Sequence, residues 1–328
     1  MPLELFSSDK DMTIAIAPMI DWTDRHYRYF MRKITKQTTL YTEMITSNAI
    51  LNGDKDYLLG FDQSENPLIL QLGGNNPTDL AECVKIAEER NYSEVNLNVG
   101  CPSERVQKGA FGLSMMNDPK LVASCVSAMK KNTKLPISIK CRIGVDDNDS
   151  YDALSSFIGQ QVDAGVDHVC IHARKGWLKG LSPKENRTIP PLDYDCVYNI
   201  KQNFQNLILG INGGITTVSD ITNHLSKLDY VLIGREAYHN PYLFSNIDGL
   251  FYGQKTRQLS RVEIIESLYP YIEQQLSNGY KLHHVTRHIL GLFHGQPNGK
   301  LWRGYLSTKS TKENAETEVV KKALDLVR

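Results

Sequence analysis

The 328-residue sequence has no unbroken apolar run of about 18 residues, so we expect no membrane-spanning helix. Its six cysteines have no C-x-x-C spacing, which argues against a zinc site or a disulfide framework and favours reduced thiols in a cytoplasm. Neither charge is in excess, because Lys+Arg and Asp+Glu number 37 each. This balance excludes a uniformly basic nucleic-acid coat but leaves room for a local basic patch. The acidic start from Met1 to Lys10 is a poor signal peptide.

The composition is that of a folded protein, with 41% hydrophobic and 23% charged residues. The charge is unevenly divided along the chain. Residues 251–328 hold 12 Lys/Arg against 7 Asp/Glu, a formal charge of +5, so residues 1–250 carry −5. This asymmetry predicts that a polyanion docks on the C-terminal part, although charge alone is equally consistent with a solvated helix face.

Eight short apolar runs alternate with helical patterns from about residue 13 to 245, a number and length typical of a (β/α)8 TIM barrel. A doubly wound sheet would alternate similarly, but its G-x-G-x-x-G fingerprint after the first strand is missing. Beyond Pro241 the spacing is helical only, which predicts a small all-α bundle. We therefore predict a barrel domain over 1–250 and a helical domain over 251–328. The predicted strands are 13–17, 39–44, 68–72, 94–99, 136–143, 166–173, 207–211 and 229–233, and the predicted C-terminal helical runs are 262–276, 284–293 and 313–327.

Polar residues stand where the predicted barrel strands end. Strand side chains alternate between two faces, and the C-terminal end of a barrel is where its chemistry is found. One such polar residue is usually a satisfied core group, but five at one rim indicate a ligand. Their chemistry suits a planar heterocycle with carbonyls and ring nitrogens, such as an isoalloxazine. The five residues are Gln71, Asn98, Lys140, His172 and Asn212.

Two glycine loops follow the last two predicted strands. Asn212-Gly213-Gly214 comes after the seventh strand, and Gly234-Arg235 comes after the eighth. Loops at these two positions commonly bind phosphate through backbone N–H groups in barrel enzymes, and Arg235 adds a positive charge. The pair of loops predicts a site for a mononucleotide phosphate.

Cys101 lies between Gly100 and Pro102 just past the fourth predicted strand, in a loop at the same rim. A thiol there is a competent proton donor at neutral pH, so we predict a catalytic role for Cys101 and core packing for the other five cysteines. Two other patterns are weak evidence for a functional site. Gly295 to Lys300 departs from P-loop spacing, and His284 with His288 reads as a solvated basic face rather than a metal pair. No metal site is predicted.

Long motifs identify a family. The chain resembles the tRNA-dihydrouridine synthases, flavin-dependent reductases of uridine in tRNA, and within them the bacterial A-type group that acts on D-loop uridines U20 and U20a. The resemblance extends over nearly the whole chain. The motifs are APMIDWTDRHYRYF at 17–30, LYTEMIT at 40–46, LQLGG at 70–74, NLNVGCPSERVQKGAFG at 96–112, IKCRIG at 139–144, IHARKGWLKGLSPKENRTIPPLDY at 171–194, INGGI at 211–215, GREAYHNP at 234–241 and LGLFHGQPNGKLWRGYLS at 290–307.

The resemblance implies a role for each matching residue. Cys101 matches the family's proton donor, and Asn98 and Arg174 match residues that meet the target uridine. Lys184, Arg187, Lys300 and Arg303 match basic positions that hold tRNA, with Lys300 standing where the family pattern has an arginine. FMN is expected on Pro18, Met19, Gln71, Lys140, His172, Asn212, Gly213, Gly214, Gly234 and Arg235.

The resemblance also implies the reaction. NADPH reduces FMN, flavin N5 delivers hydride to uracil C6 of a base taken out of its stack, and Cys101 protonates C5. A membrane and a protein partner are not implied, and a cytoplasmic monomer is expected. Two rival hypotheses stay open at this point. The first is a small-molecule FMN reductase of the ene-reductase or dihydroorotate-dehydrogenase type, and the second is a non-catalytic RNA-binding protein that has kept the fold.

Overall fold

The computed structural model describes residues 13–254 and 257–328. Its eight strands are all parallel and are hydrogen-bonded in the order β1-β8-β7-β6-β5-β4-β3-β2. A parallel bridge between Ala15 and Thr39 joins the first strand to the approach of the second and closes the cylinder. The predicted (β/α)8 barrel is therefore confirmed. The strands are β1 Thr13–Ile16, β2 Leu40–Thr46, β3 Leu68–Gly73, β4 Glu94–Asn98, β5 Ile137–Arg142, β6 His168–His172, β7 Ile208–Asn212 and β8 Tyr230–Ile233.

The alternation predicted for the strands is present, and it divides apolar from polar side chains. On β4, Val95 and Leu97 are fully buried on one face, while Asn96 and Asn98 lie on the other. The second face points into the barrel, because side chains on non-adjacent strands meet there. Tyr230 on β8 and Tyr41 on β2, for example, belong to one buried cluster. The barrel interior is consequently a mixture of aromatic, aliphatic and hydrogen-bonding groups.

Two of the long crossover helices begin at a polar capping residue followed by proline. Asn76 accepts hydrogen bonds from the N–H groups of Thr78 and Asp79, and Pro77 occupies the first turn. Asp118 caps the next long helix in the same way. The helices are α1 Arg25–Ile34, α2 Ser47–Asn52, α3 Lys55–Leu59, α4 Pro77–Glu89, α5 Glu104–Lys108, α6 Pro119–Lys131, α7 Tyr151–Asp163, α8 Tyr194–Asn203, α9 Val218–Leu225, α10 Arg235–His239, α11 Ile247–Tyr252, α12 Arg261–Glu266, α13 Tyr269–Ser277, α14 Leu282–Ile289, α15 Gly299–Lys309 and α16 Glu318–Asp325, with 3-10 turns at Gln63–Glu65, Gly112–Asn117, Glu185–Arg187, Pro241–Asn246 and Leu290–Phe293.

The chain divides into two compact units. The first comprises residues 13–19 together with Thr39–Phe61 and Asn66–Gly234, and it contains the whole barrel. The second comprises Ile20–Thr38, Asp62–Glu65 and Arg235–Arg328. The functional division into 1–250 and 251–328 stays a prediction.

The second unit is helical, as expected, and includes an element from the N-terminal part of the sequence. Helix α1 belongs to it, and the guanidinium of Arg28 on α1 lies 2.6 Å from the buried carboxylate of Glu65. Helix α15 was not among the three helical runs predicted for this region. Along the part of the chain that the structure describes, we find no helix with the length and apolar character needed to cross a bilayer.

Candidate active site

The barrel strands bring a cation and an amide together at their C-terminal ends. Lys140 on β5 donates from Nζ to Oδ1 of Asn212 on β7, at 3.0 Å. The two strands are not neighbours, so both side chains must point into the barrel mouth. The amide nitrogen of Asn212 in turn donates to the carbonyl of Leu232 at 2.8 Å, which turns the Asn212 oxygen toward the lysine.

Lys140 is a cation in an unfavourable place. Burial lowers the pKa of its ammonium below the ordinary 10.5, and the nearby thiols of Cys170, Cys141 and Cys101 oppose this effect only partly. Within residues 13–254 and 257–328, Lys140 forms no ion pair with a carboxylate. A half-buried ammonium whose hydrogen-bond partner is a neutral amide gains stability from any ligand that brings an anionic or carbonyl oxygen.

Asn98 and Gln71 form a second polar group at this rim. Asn98 donates from Nδ2 to Oε1 of Gln71 at 2.9 Å, and both side chains are buried. The oxygen of Asn98 accepts from the backbone N–H groups of Gly100 and Cys101, at 3.1 and 3.0 Å. Asn98 therefore fixes the start of the loop that carries Cys101.

Cys101 is half-buried, and its thiol lies 3.5 Å from the hydroxyl of Ser103. Its carbonyl accepts from the N–H of Leu113, and an added Cβ at Gly112, where φ is +69°, would lie 2.8 Å from that carbonyl oxygen. The loop therefore requires glycine at position 112 to return against Cys101. Burial raises the pKa of the other thiols, those of Cys83, Cys125, Cys141, Cys170 and Cys196.

The loop after β7 is shaped by its glycines. Gly213 has φ +117°, and an added Cβ would lie 2.8 Å from Cδ2 of His172, so the imidazole sits directly against this glycine. Gly214 has φ +71°, and the hydroxyl of Tyr194 donates to the carbonyl of Gly213 at 2.9 Å. Only glycine fits both positions without strain or displacement of a neighbour.

Gly234 differs, because an added Cβ would meet nothing closer than 3.9 Å. At that distance a Cβ would make only ordinary van der Waals contacts, so the protein's own packing does not require glycine at this half-buried position. The sulfur of Met19 would lie 4.0 Å from such a Cβ, which brings the half-buried Pro18-Met19 segment beside the end of β8. The β1, β7 and β8 ends therefore meet as the sequence predicts.

The predicted basic residues divide between the two units. In the first unit, Arg174 is half-buried and donates to the carbonyl of Pro190, while Lys184 and Arg187 are exposed at the 3-10 turn Glu185–Arg187. In the second unit, Lys300 is exposed and Arg303 half-buried on α15, and Arg235 lies at the start of α10. The roles predicted for these residues in binding uridine, tRNA or flavin remain predictions.

Arg142 is a residue of this site that the sequence reasoning did not single out. It is 4% exposed and donates to three backbone carbonyls, those of Gly100, Lys175 and Asn186, at 2.9, 3.0 and 3.1 Å. Burial is the largest influence on its guanidinium and lowers its pKa to about 10. Arg142 thus ties the loop after β4 to the loop after β6. The signal was its position two residues after Lys140, on the same face of β5.

The sequence-based interpretation of His284 and His288 as a solvated face is wrong for His288. Its side chain is 0% exposed, and Nε2 lies 3.0 Å from the carboxylate of Asp24. Asp24 lies 264 residues earlier in the chain, so local spacing could not reveal the pair. In the parts of the chain described, no group of three or more His, Cys, Asp and Glu side chains is arranged to hold a metal ion.

The chain is similar to known proteins over almost its whole length. A family model described as dihydrouridine synthase matches residues 15–328. A tRNA-dihydrouridine(20/20a) synthase of Shewanella oneidensis is 52% identical over 322 residues, which cover 98% of this chain and 96% of the relative. A protein of the same name from Synechocystis is 50% identical over 321 residues, with 98% and 96% covered.

Among solved structures, morphinone reductase superposes with a TM-score of 0.54 at 11% identity, covering 75% of this chain and 87% of the reductase. At this identity the likeness concerns the fold alone. It supports the barrel architecture and carries no information about ligands.

Proposed function

The chain belongs to the dihydrouridine synthase family, and from this premise we propose that it reduces the C5=C6 bond of uridine in the tRNA D-loop to 5,6-dihydrouridine. The names of its relatives support positions 20 and 20a as the target. One observation of the structure carries the proposal. The half-buried ammonium of Lys140, with Asn212 as its amide partner, lies at the same end of the barrel as the loop that carries Cys101.

The residues at the rim fit a flavin mononucleotide. The Lys140 ammonium lacks an anionic partner among the described side chains, and Gln71 and Asn212 supply amides for the carbonyls and nitrogens of a heterocycle. The half-buried backbone at Gly234, together with the Gly213-Gly214 turn, suits its phosphate, and Arg235 follows directly in the chain. We propose His172, Pro18 and Met19 as further contacts, and NADPH as the reductant. When bound, the flavin supplies the reducing equivalents for uracil C6.

The chain itself supplies the proton and its placement. Cys101 gives a proton to C5 of the base, and the two hydrogen bonds that the Asn98 oxygen accepts from the Gly100 and Cys101 backbone hold the thiol in position. The positive charges of Lys140 and Arg174 stabilise the negative charge that develops on the pyrimidine carbonyls in the transition state. Because the target base must leave its stack, the site acts on a flipped nucleotide.

Binding of the tRNA is assigned to basic residues in both units. Lys184 and Arg187 stand at one turn after β6. Lys300 and Arg303 are three residues apart on α15 and therefore lie on the same side of that helix. Phosphate contacts of this kind position a nucleic acid without reading its sequence. Lys300 and Arg303 are two of the 12 Lys/Arg residues that make the C-terminal part of the chain positive.

The proposal is tested by mass analysis of nucleosides from the tRNA of a strain lacking its own dihydrouridine synthases, with and without this chain. We expect dihydrouridine to appear at D-loop positions 20 and 20a. Cys101→Ala should retain the yellow flavin yet lower the rate by about 10²-fold or more. Cys196→Ala, which removes another half-buried thiol, should act like the wild type.

Three results would contradict the proposal. Turnover of free uridine as fast as tRNA would favour a small-molecule reductase of the same fold. A colourless purified protein without dihydrouridine activity would favour a non-catalytic RNA-binding protein. Full activity of Cys101→Ala would remove Cys101 from its role.

A further inference from the structure

From the rim downward, five buried side chains form one continuous series of hydrogen bonds, which we call the amide chain: Asn98, Gln71, Asn96, Ser138 and Glu94. Asn98 donates to Gln71 at 2.9 Å, Gln71 donates to Asn96 at 2.8 Å, and Asn96 donates to Ser138 at 2.8 Å. The hydroxyl of Ser138 donates to Oε1 of Glu94. Asn98 is 8% exposed and the other four are at most 1% exposed, so water does not compete for these bonds.

The register of the sheet creates this arrangement. Gln71 on β3 is the direct partner of Asn96 on β4, and Asn96 is the direct partner of Ser138 on β5. His168 on β6 continues the same level, as the direct partner of Ser138. Side chains at one level of a parallel barrel point inward together, so three polar residues spaced this way must meet.

The lower end of the amide chain is closed by a buried pair. Oε2 of Glu94 lies 2.8 Å from Nε2 of His168, and Nδ1 of His168 lies 2.8 Å from the hydroxyl of Tyr230. The other carboxylate oxygen, Oε1 of Glu94, accepts from the hydroxyl of Ser138.

The two ends fix the direction of every bond between them. Ser138 donates its only hydroxyl hydrogen to Oε1 of Glu94, so its oxygen must accept from the nitrogen of Asn96. The oxygen of Asn96 then accepts from Gln71, and the oxygen of Gln71 accepts from Asn98. At the other end the backbone N–H groups of Gly100 and Cys101 only donate, so the Asn98 oxygen must face them. Both ends demand the same direction.

We propose that the amide chain is a positioning device that fixes the orientation of the Asn98 and Gln71 amides and thereby the Cys101 loop. An amide that flips exchanges oxygen and nitrogen at almost no cost in shape, so shape alone cannot fix it. A flipped Asn98 would place its NH2 group against the N–H groups of Gly100 and Cys101 and lose both bonds. Glu94, Ser138 and Asn96 are therefore positioning residues for a reaction they do not touch.

The direction of the chain also restricts what Asn98 can offer to a ligand. Both lone pairs of its oxygen are used by Gly100 and Cys101, and one amide hydrogen is used by Gln71. A ligand at the rim can receive only the second amide hydrogen. The ligand atom that faces Asn98 must therefore be an acceptor.

The test uses Ser138→Ala, which interrupts the chain in the middle, in the full-length protein. The first readout is solvent exchange of the Asn98 side-chain amide protons, measured by NMR on the full-length protein labelled with ¹⁵N-asparagine. The Asn98 signals are assigned by their loss in Asn98→Ser. We expect exchange to become about tenfold faster, the equivalent of one hydrogen bond. The second readout is tRNA turnover, where we expect kcat to fall about tenfold and KM for tRNA to stay the same.

Two matched variants accompany it. Glu94→Gln keeps an acceptor oxygen toward Ser138 and can donate from its nitrogen to His168, so it should preserve the exchange rate and kcat. Tyr41→Phe removes a buried hydroxyl of the barrel interior that has no hydrogen-bond partner among the described residues, and it too should leave both unchanged. If Ser138→Ala does not fold, Ser138→Cys, a weaker donor of similar size, should shift both readouts less and in the same direction.

The positioning role would be overturned if a folded Ser138 variant had the exchange rate and kcat of the wild type. It would also be overturned if Tyr41→Phe changed the exchange rate and kcat as much as Ser138→Ala does. The proposal rests on the proposed function only for its kcat readout. Absence of tRNA reduction by the wild type would overturn the proposed function alone, whereas accelerated Asn98 exchange in Ser138→Ala would still support the amide chain.

Discussion

The ammonium of Lys140 and the side-chain oxygen of Asn212 are 3.0 Å apart across the mouth of the barrel, and their strands are separated by β6. The amide is a neutral partner for a cation whose pKa is lowered by burial. The protein thus holds a charge that its fold does not fully compensate. Such a residue costs stability in the free protein and stabilises a ligand that offers negative charge.

Lys140→Met should therefore separate stability from binding. We expect the flavin-free variant to be more stable than the flavin-free wild type by ~1 kcal/mol, and its flavin affinity to be lower by at least about tenfold. Urea unfolding and flavin fluorescence titration measure the two quantities. Lys130→Met is the matched control, because Lys130 forms a surface ion pair with Asp167 and should leave flavin affinity unchanged.

The stability that Lys140→Met gains over the wild type should decrease as pH rises. Because the folded pKa of Lys140 is below the unfolded value of 10.5, the unfolded chain binds more protons between the two values. The penalty is complete below the folded pKa and disappears as pH rises toward 10.5. The stability difference between Lys140→Met and wild type should shrink at alkaline pH, and a difference that grows with pH would contradict this account of Lys140.

Strand alternation was sufficient to predict the barrel and the polar rim. Gln71, Lys140 and Asn212 could be recognised because several polar side chains at C-terminal strand ends converge on one rim. The pattern gives the face of a side chain and not its partner, so it could not show that Glu94 and His168 meet inside the barrel. Partners far apart in sequence are set by register and closure of the whole sheet.

The helical part was less predictable for the same reason. Helix α15 carries Gly299 and Gly304, which interrupt the apolar spacing that indicates a helix. Helix α1 joins the C-terminal helices through pairs such as Asp24 with His288, whose separation of 264 residues leaves no local signal. Position along the chain therefore suggested a simpler division than the one that the contacts make.

Gly213→Ala should be more damaging than its backbone angle alone explains. Gly213 has φ +117°, and an added Cβ would lie 2.8 Å from the His172 ring and 3.0 Å from Leu192. Gly165 has φ +89° with open space around it, so Gly165→Ala measures backbone strain without a clash. We expect Gly165→Ala to cost about 1 kcal/mol, and Gly213→Ala to cost more and to weaken flavin binding as His172 is displaced.

The urea midpoint and flavin affinity of the two variants decide the question. Equal losses of stability with unchanged flavin affinity would mean that His172 moves aside freely. In that case the close approach of Gly213 to His172 would not hold the imidazole at the rim.

His26 in the second unit should make the protein sensitive to mild acid. Its side chain is 4% exposed, and Nδ1 lies 2.8 Å from the hydroxyl of Tyr271. Burial lowers the pKa of His26 to about 4, against the opposing effect of Asp24. Between pH 4 and the ordinary value of 6.5, the unfolded chain binds more protons. The contribution of His26 to the free energy of unfolding should therefore fall by about 3 kcal/mol as pH drops through this window.

Urea unfolding from pH 7 to pH 4.5 measures the slope. His26→Gln, which can still bond Tyr271 and does not titrate, should flatten it. The remaining slope includes the parts due to His224, His284 and His288, whose pKa values burial also lowers. His294→Gln, which changes an exposed histidine, should leave the slope as it is. An unchanged slope in His26→Gln would assign the acid sensitivity to other groups.

The basic residues of α15 should contribute to the salt dependence of tRNA binding. Lys300→Ala with Arg303→Ala should weaken tRNA binding and reduce the slope of log affinity against log salt by about one for each phosphate that the variant no longer binds. Lys120→Ala with Lys131→Ala removes the same charge from exposed positions on α6 and is the control for net charge. If only overall charge mattered, the two double variants would bind tRNA alike at every salt concentration. A slope lowered in the α15 variant alone requires local binding of phosphates by α15, because released counterions report only charges that touch the nucleic acid.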